Sequence, residues 1–173
     1  SKLSGSIIGS KYSVDYATGN ASTTVNNKAD VFDGNFNTYF FFFLRSNTWV
    51  GLDLGTPHVI TKVGWSPRAH DLGPERSVLA LFEGANDPDF LDAVPLFLNT
   101  EASAINKMHY ADVNVSRGFR YVRYVGTNDS RCYLSELEFY GYEGVGDDSQ
   151  FYQITNLPTV SIHTYNGKNP QSK

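Results

Sequence analysis

Short runs of alternating apolar and polar residues dominate the chain, and helical periodicity is hard to find. In Trp49–Leu54, for example, Val50, Leu52 and Leu54 fall on one side of an extended strand. Gly, Pro, Asn and Asp separate the runs, which is typical of a β-sandwich or barrel. The pattern predicts eight strands, in chain order Ser6–Ile8, Trp49–Leu54, Val59–Trp65, Val78–Glu83, Phe97–Asn99, His109–Val115, Phe119–Gly126 and Tyr133–Tyr142.

The segment Val31–Phe40 combines a carboxylate, a glycine turn and a threonine within a few residues. Ca²⁺ prefers about six to eight oxygen ligands, and Asp33 and Thr38 can each supply one. Another carboxylate would come from the last strand, where Glu136 and Glu138 lie on the same face. The alternative interpretation is an ordinary Asp-Gly turn closed by an Asp side chain.

A second polar loop follows Trp65 and is bounded by Pro67 and Gly73-Pro74. Its charged and imidazole side chains are of the kind that bind vicinal sugar hydroxyls. The candidate ligand-binding residues here are Arg68, His70, Asp71 and Arg76. The alternative is that Arg68 and Asp71 form a solvated surface pair. If Arg68 is a loop residue of this kind, its loss should leave the fold intact.

A third candidate is the aromatic run that begins at Tyr39. A strand buries only one face, so some of these rings should point outward as a binding platform. The residues expected on that surface are Tyr39, Phe41 and Phe43, with Arg131 and Tyr133 on the same rim. The alternative is an edge covered by a neighbouring loop or by the C-terminal segment.

Charge and composition exclude several classes of protein. The formal net charge is -4, so no basic surface for a nucleic acid is expected. No run of about 18 apolar residues predicts a transmembrane segment. The single cysteine, Cys132, is interpreted as a small buried hydrophobic residue. No motif of a nucleophilic or zinc hydrolase is present, which predicts that the chain is not an enzyme.

The composition of the chain changes after residue 146, where a polar stretch precedes another run of alternating apolar and polar residues. This predicts a binding module over residues 1–146. Residues 147–173 are then a linker and the possible start of a following domain. The module is therefore expected to be covalently linked to further domains of a larger protein. It is also expected to be a monomer.

Five segments together resemble the discoidin-like, or coagulation factor 5/8 type C, family, which includes carbohydrate-binding modules of the CBM32 kind. They occur in the family's order and are Phe32–Phe40, Trp49–Gly55, Val59–Arg68, Phe119–Tyr124 and Leu134–Gly141. The resemblance implies an all-β, eight-stranded, jelly-roll-like sandwich of the galactose-binding-domain-like type. Phe40 stands where the family usually has tryptophan, and Glu75-Arg76 stands where sugar-binding members often have Asn-Gly.

The resemblance also implies functional residues. It implies a structural calcium held by the Val31 carbonyl, the Asp33 carboxylate, an Asn35 or Phe36 carbonyl, the Thr38 hydroxyl and carbonyl, and Glu136. It places Arg68 where sugar-binding members have an arginine that contacts the ligand.

The expected function is that of a non-catalytic carbohydrate-binding module, secreted or at the cell surface, that binds glycan through loops at one end of the sandwich. The alternative is an adhesion module that binds protein or phospholipid, with Phe41–Phe43 as apolar spikes. A third hypothesis is a fragment of a catalytic chain, because Leu157–Ile162 resembles the opening of spore-coat CotH-like kinase domains.

Overall fold

A computed structural model describes residues 1–15, 17–42 and 48–147 of the chain. Phe43 and the segment 148–173 lie outside the described residues, so the expectations for them stay predictions. The described part contains nine strands: β1 Ser6–Gly9, β2 Ser13–Asp15, β3 Asn20–Ser22, β4 Trp49–Pro67, β5 Leu81–Ala85, β6 Val94–Leu98, β7 His109–Asp112, β8 Gly118–Val125 and β9 Leu134–Glu143. The helices are a 3₁₀ helix, Lys28–Phe32, and a single α turn, α1, Gly73–Arg76.

Strand β4 joins the two layers of the sandwich. Its first half pairs with β1 and β8, and its second half pairs with β7 and β9, all antiparallel. Two strands were predicted here, and they form one because the chain bends without breaking its ladder. The register with β8 shifts between Asp53 and His58, and Gly55 between them has a φ of +82°, a conformation that glycine adopts without strain.

The first layer has the order β1-β4-β8-β5-β6, and β7 and β9 flank the second half of β4. Apolar residues of both layers form one core between them, with Phe40, Phe82, Leu137 and Phe139 fully buried. The all-β sandwich expected from the strand pattern is therefore confirmed.

Some strand boundaries differ from the expectation. The strand expected at Val78 begins at Leu81, because α1 precedes it and Leu79 has a φ of 67°. The strand expected at Phe97–Asn99 begins earlier, at Val94, and contains Pro95. A proline is tolerated there because β6 lies at the edge of its sheet and needs no donor on its free side. The short hairpin of β2 and β3 was not predicted.

The single cysteine is buried, as expected for a small apolar residue. Cys132 is 1% exposed and forms no disulfide. Burial raises the pKa of its thiol to about 12, so the nucleophilic thiolate is scarce at neutral pH. Cys132 therefore contributes packing rather than chemistry.

The loops predicted to carry the site lie at one end of the sandwich. Strand β4 ends at Pro67 and pairs there with Leu134, the first residue of β9. Strand β5 begins at Leu81 opposite Val125, the last residue of β8. The loops 68–80 and 126–133 therefore leave the sheets at the same end, and Phe40 joins them through an isolated bridge to Leu134.

We expect Tyr124→Phe to leave the free energy of unfolding unchanged or to raise it by about 1 kcal/mol. The Tyr124 ring is fully buried against Phe82, but its hydroxyl has no hydrogen-bond partner among the described residues. Removing an unsatisfied buried hydroxyl removes a desolvation cost. Urea denaturation would measure the change. Tyr124→Leu, which also removes the ring, should destabilise the protein, and an equal loss in both variants would contradict the prediction.

Candidate functional site

The guanidinium of Arg68 lies among three aromatic rings. Its central carbon is 3.9 Å from the ring centroid of Tyr39, 4.5 Å from that of Phe41 and 4.7 Å from that of Tyr133. Arg68 is only 5% exposed. A guanidinium is attracted to aromatic faces and is weakly hydrated, so this enclosure stabilises the charge. These four residues are called the arginine–aromatic cluster.

Backbone hydrogen bonds assemble the cluster from three separate segments. The Arg68 N–H donates to the Tyr133 carbonyl at 2.9 Å, which ties the end of β4 to the start of β9. The Phe40 N–H donates to the Leu134 carbonyl at 2.8 Å, and the Phe42 N–H donates to the Arg131 carbonyl at 3.2 Å. The aromatic segment therefore runs beside the loop before β9 and presents its rings to Arg68.

The partly or fully exposed residues around Arg68 are called the rim. They are His70, Asp71, Arg76 and Arg131, together with Tyr39, the member of the cluster that is partly exposed. The His70 ring packs edge-on against Tyr133 with centroids 5.4 Å apart. The Arg76 guanidinium lies 4.2 Å from the centroid of the same ring. The Leu72 N–H donates to His70 Nδ1 at 3.0 Å, which places the proton of the neutral ring on Nε2. The rim thus offers hydrogen-bond donors beside an aromatic surface.

Three expectations for this surface are wrong. Arg68 is not part of a solvated pair with Asp71, because rings enclose it, and it therefore packs as a core residue does. Phe41 does not point outward as a platform or an apolar spike. It is 2% exposed and packs edge-on against Tyr133 with centroids 5.5 Å apart. Tyr133, expected on the same rim, is also buried and is 6% exposed. Among the described residues Tyr39, His70, Asp71, Arg76 and Arg131 lie at this end of the sandwich, whereas Phe43 is outside them.

A second group of polar residues lies beside the cluster, in the loop after the 3₁₀ helix. Thr38 Oγ1 donates to Asp33 Oδ2, and the Gly34 N–H lies 3.1 Å from both carboxylate oxygens of Glu136. Carbonyls also converge there, since those of Asn35 and Asp30 lie 3.0 and 3.3 Å from Thr38 Oγ1. We call Asp33, Thr38 and Glu136 the oxygen cluster.

The two carboxylates of the oxygen cluster affect each other. Burial, together with the nearby Asp33, raises the pKa of Glu136 to about 8. Burial alone would also raise the pKa of Asp33, but hydrogen bonds from Thr38 and the Asn35 backbone outweigh it and hold that pKa below its usual value. Glu136 is 3% exposed and has no ion pair with any described residue. A buried carboxylate of this kind favours a bound cation or a proton.

Several of the predicted cation ligands converge in the oxygen cluster. Asp33, Thr38, Glu136 and the Asn35 carbonyl converge, whereas the Phe36 carbonyl accepts a hydrogen bond from Ser135 Oγ at 3.1 Å. The expectation for the Val31 carbonyl stays a prediction. The Asp30 carbonyl, which sequence reasoning did not name, also lies near Thr38 Oγ1. Backbone carbonyls carry no residue-type signal, so no pattern in the chain could identify this one.

Glu136 and Glu138 were equivalent candidates in the sequence, and the structure separates them. Glu138 lies 3.3 Å from Lys2 Nζ and accepts a hydrogen bond from the Tyr140 hydroxyl at 2.7 Å. Glu136 instead faces Gly34. No three His, Cys, Asp or Glu side chains within residues 1–15, 17–42 and 48–147 group closely enough to hold a metal. Backbone and hydroxyl oxygens would therefore have to complete any coordination shell.

The chain shares 34% sequence identity with CBM62 from Clostridium thermocellum Xyl5A, over 84% of this chain and 99% of that module, with a TM-score of 0.74. This chain belongs to the CBM62 family of carbohydrate-binding modules. No protein-family model and no curated protein matches the CBM62-family chain.

More distant structures share the fold of the CBM62-family chain. CBM32 of AlyQ, in complex with 4,5-unsaturated mannuronic acid, is 14% identical over 81% of this chain and 98% of its own, with a TM-score of 0.59. Chitosan-binding module 1 of a Paenibacillus sp. IK-5 chitosanase/glucanase is 19% identical over 80% of this chain and 96% of its own, with a TM-score of 0.58. The discoidin-like, galactose-binding-like fold inferred from the sequence motifs is confirmed.

We expect Arg68→Ala to lower the free energy of unfolding by about 2–3 kcal/mol. The substitution removes a buried cation from among three rings and leaves a cavity between them. Arg68→Lys should recover only part of the loss, because an ammonium cannot stack as a planar guanidinium does. Urea denaturation of both variants measures the effect.

Asp71→Ala is the control, because Asp71 lies exposed on the same loop and should change stability by less than about 0.5 kcal/mol. If Arg68→Ala were as stable as the control, the cluster would not contribute to the fold.

Proposed function

We propose that this CBM62-family module binds a glycan at the loop end of the sandwich, over the rim of the arginine–aromatic cluster. The observation that carries the proposal is the Arg68 guanidinium held among three rings, with Tyr39, His70 and Arg76 partly exposed around it. The buried arginine orients the rings, and the rim residues contact the ligand.

The chemistry of the rim suits a sugar. The partly exposed Tyr39 ring can pack against the C–H face of a pyranose, and the His70 Nε2–H and the Arg76 guanidinium can donate to its hydroxyls. The exposed Asp71 carboxylate can accept from the same hydroxyls. Because few groups are desolvated at such an open surface, the dissociation constant is expected to be on the order of micromolar to millimolar.

The oxygen cluster is proposed to hold a structural Ca²⁺. The proposed protein ligands are Asp33, Thr38, Glu136 and the nearby carbonyls, and the ion would supply the positive charge that two close carboxylates lack. Thr38 directly precedes Tyr39, so the loop that binds the ion also positions the ring over Arg68. Calcium would therefore order part of the sugar site without contacting the sugar.

The module is further proposed to be non-catalytic and monomeric, and to act as one domain of a larger extracellular protein. Its role would be to hold the attached domains near a polysaccharide or glycan. No helix among the described residues has the length and apolar character needed to cross a membrane. The adhesion alternative relied on outward-pointing phenylalanines, and the inward packing of Phe41 removes part of its basis.

We predict that His70→Ala weakens sugar binding about tenfold or more while the melting curve is retained, because His70 lies partly exposed on the rim. Tyr39→Ala should weaken binding at least as much and should also lower the melting temperature, because the Tyr39 ring packs against the buried Arg68 guanidinium. The measurement is calorimetric titration with the strongest ligand from a glycan array. Tyr110→Ala is the matched control, since Tyr110 is a tyrosine that is 50% exposed on the strand face of β7. Equal losses in all three variants would refute the placement.

We predict that Ca²⁺ raises the melting temperature and that EDTA reverses the rise, because the ion binds the folded chain more tightly than the unfolded one. Asp33→Ala should abolish the shift. Asp112→Ala, which removes an exposed carboxylate from β7, should keep it. A metal-loaded sample whose melting curve ignores EDTA would disprove the calcium site while leaving the sugar site untested by this measurement.

A further inference from the structure

An open polar pocket of about 300 Å³ lies beside the arginine–aromatic cluster. It forms between the α1 turn and the loop that precedes β9, and its lining is polar throughout: Glu75, Arg76, Thr127, Asn128, Asp129 and Ser130. Of these residues, only Arg76 was predicted from the sequence to bind a ligand.

Several polar groups of this pocket have no partner within the part of the chain that the structure describes. The Arg76 Nη1 atom is buried and unsatisfied there. The Glu75 carboxylate has no ion pair and the Asn128 amide no hydrogen bond among the same residues. The buried Arg76 Nη1 atom is closed off from the open pocket, so the groups that a ligand there can reach are the Glu75 carboxylate, the Asn128 amide and the rest of the Arg76 guanidinium.

The loop on the far side of the pocket is held in shape without a ligand. Ser130 Oγ donates to the Thr127 carbonyl at 2.7 Å and accepts from the Cys132 N–H at 3.1 Å. Asp129, Arg131 and Cys132 adopt left-handed conformations with φ of 66°, 56° and 65°. Non-glycine residues seldom adopt this conformation, and such strain concentrates at binding sites. The pocket is therefore preorganised.

Tyr133 connects the pocket to the arginine–aromatic cluster. The Arg68 guanidinium lies 4.7 Å from the centroid of this ring, and the Arg76 guanidinium lies 4.2 Å from it. Arg76 also lines the pocket. A ligand that rests on the rim would thus continue into the pocket past Arg76.

We propose that this pocket binds a second sugar unit, so that the module recognises a glycan of at least two linked units. The proposal rests on the glycan-binding function proposed above. Asn128 and Arg76 donate to the hydroxyls of the second unit, and Glu75 accepts from them. The Glu75 carboxylate, which has no ion pair among the described residues, disfavours a uronic acid, so the second unit is a sugar without a carboxylate.

The test is calorimetric titration with galactose, xylose, glucosamine and mannuronic acid and with the disaccharide of each. In the wild type, the disaccharide of the preferred neutral or amino sugar should bind about tenfold more tightly than its monosaccharide. The double variant Glu75→Gln/Asn128→Ala should bind both with the affinity of the monosaccharide. Asn114→Ala, an exposed asparagine between β7 and β8, is the control and should keep the tenfold gain.

The outcomes separate the two proposals. Binding of a monosaccharide without a gain for its disaccharide, or a gain that survives in the double variant, overturns the second-unit pocket and leaves the rim site standing. Failure of the wild type to bind any sugar of the panel overturns both. His70→Ala should weaken monosaccharide and disaccharide by the same factor, because His70 contacts only the first unit.

Discussion

The enclosure of the Arg68 guanidinium by aromatic rings connects the parts of this module. Tyr39 and Phe41 come from one loop and Tyr133 from another, and Arg68 itself follows the long strand β4. A buried cation must be compensated, and the three rings do this while they are held in fixed orientations. Without the cation, the rings would lose the group around which they pack. The surface available to a ligand depends on this packing.

Because it is buried, Arg68 contributes both to the fold and to the proposed binding site, two roles that sequence reasoning treats as alternatives. A charged loop residue is usually solvated, and its loss is usually harmless. Arg68 is enclosed as a core residue is, yet it lies directly beneath Tyr39 and beside the rim. The oxygen cluster extends this arrangement, since Thr38 bonds Asp33 and immediately precedes Tyr39. The fold and the proposed site are therefore stabilised by the same contacts.

Much of the fold could be predicted because apolar and polar residues alternate along the individual strands. The apolar face formed by Val50 and Leu52 is buried as the pattern requires. The bend in β4 could not be predicted. A glycine with a proline two residues later ends most strands, whereas here Gly55 accommodates the bend and the strand continues through Pro57. The β2–β3 hairpin was missed because its three-residue strands are too short to show a period.

Local alternation and short contiguous patterns are enough to give the β-sandwich class, the family motifs and most of the residue types at the loop end. The folded arrangement was needed to show that Arg68 is enclosed, that Phe41 faces inward, and that Glu136 rather than Glu138 meets Asp33. It also placed Asn128 opposite Glu75 across one pocket. Such relations join residues that are distant in the chain, and burial and pairing between segments leave no trace in local spacing.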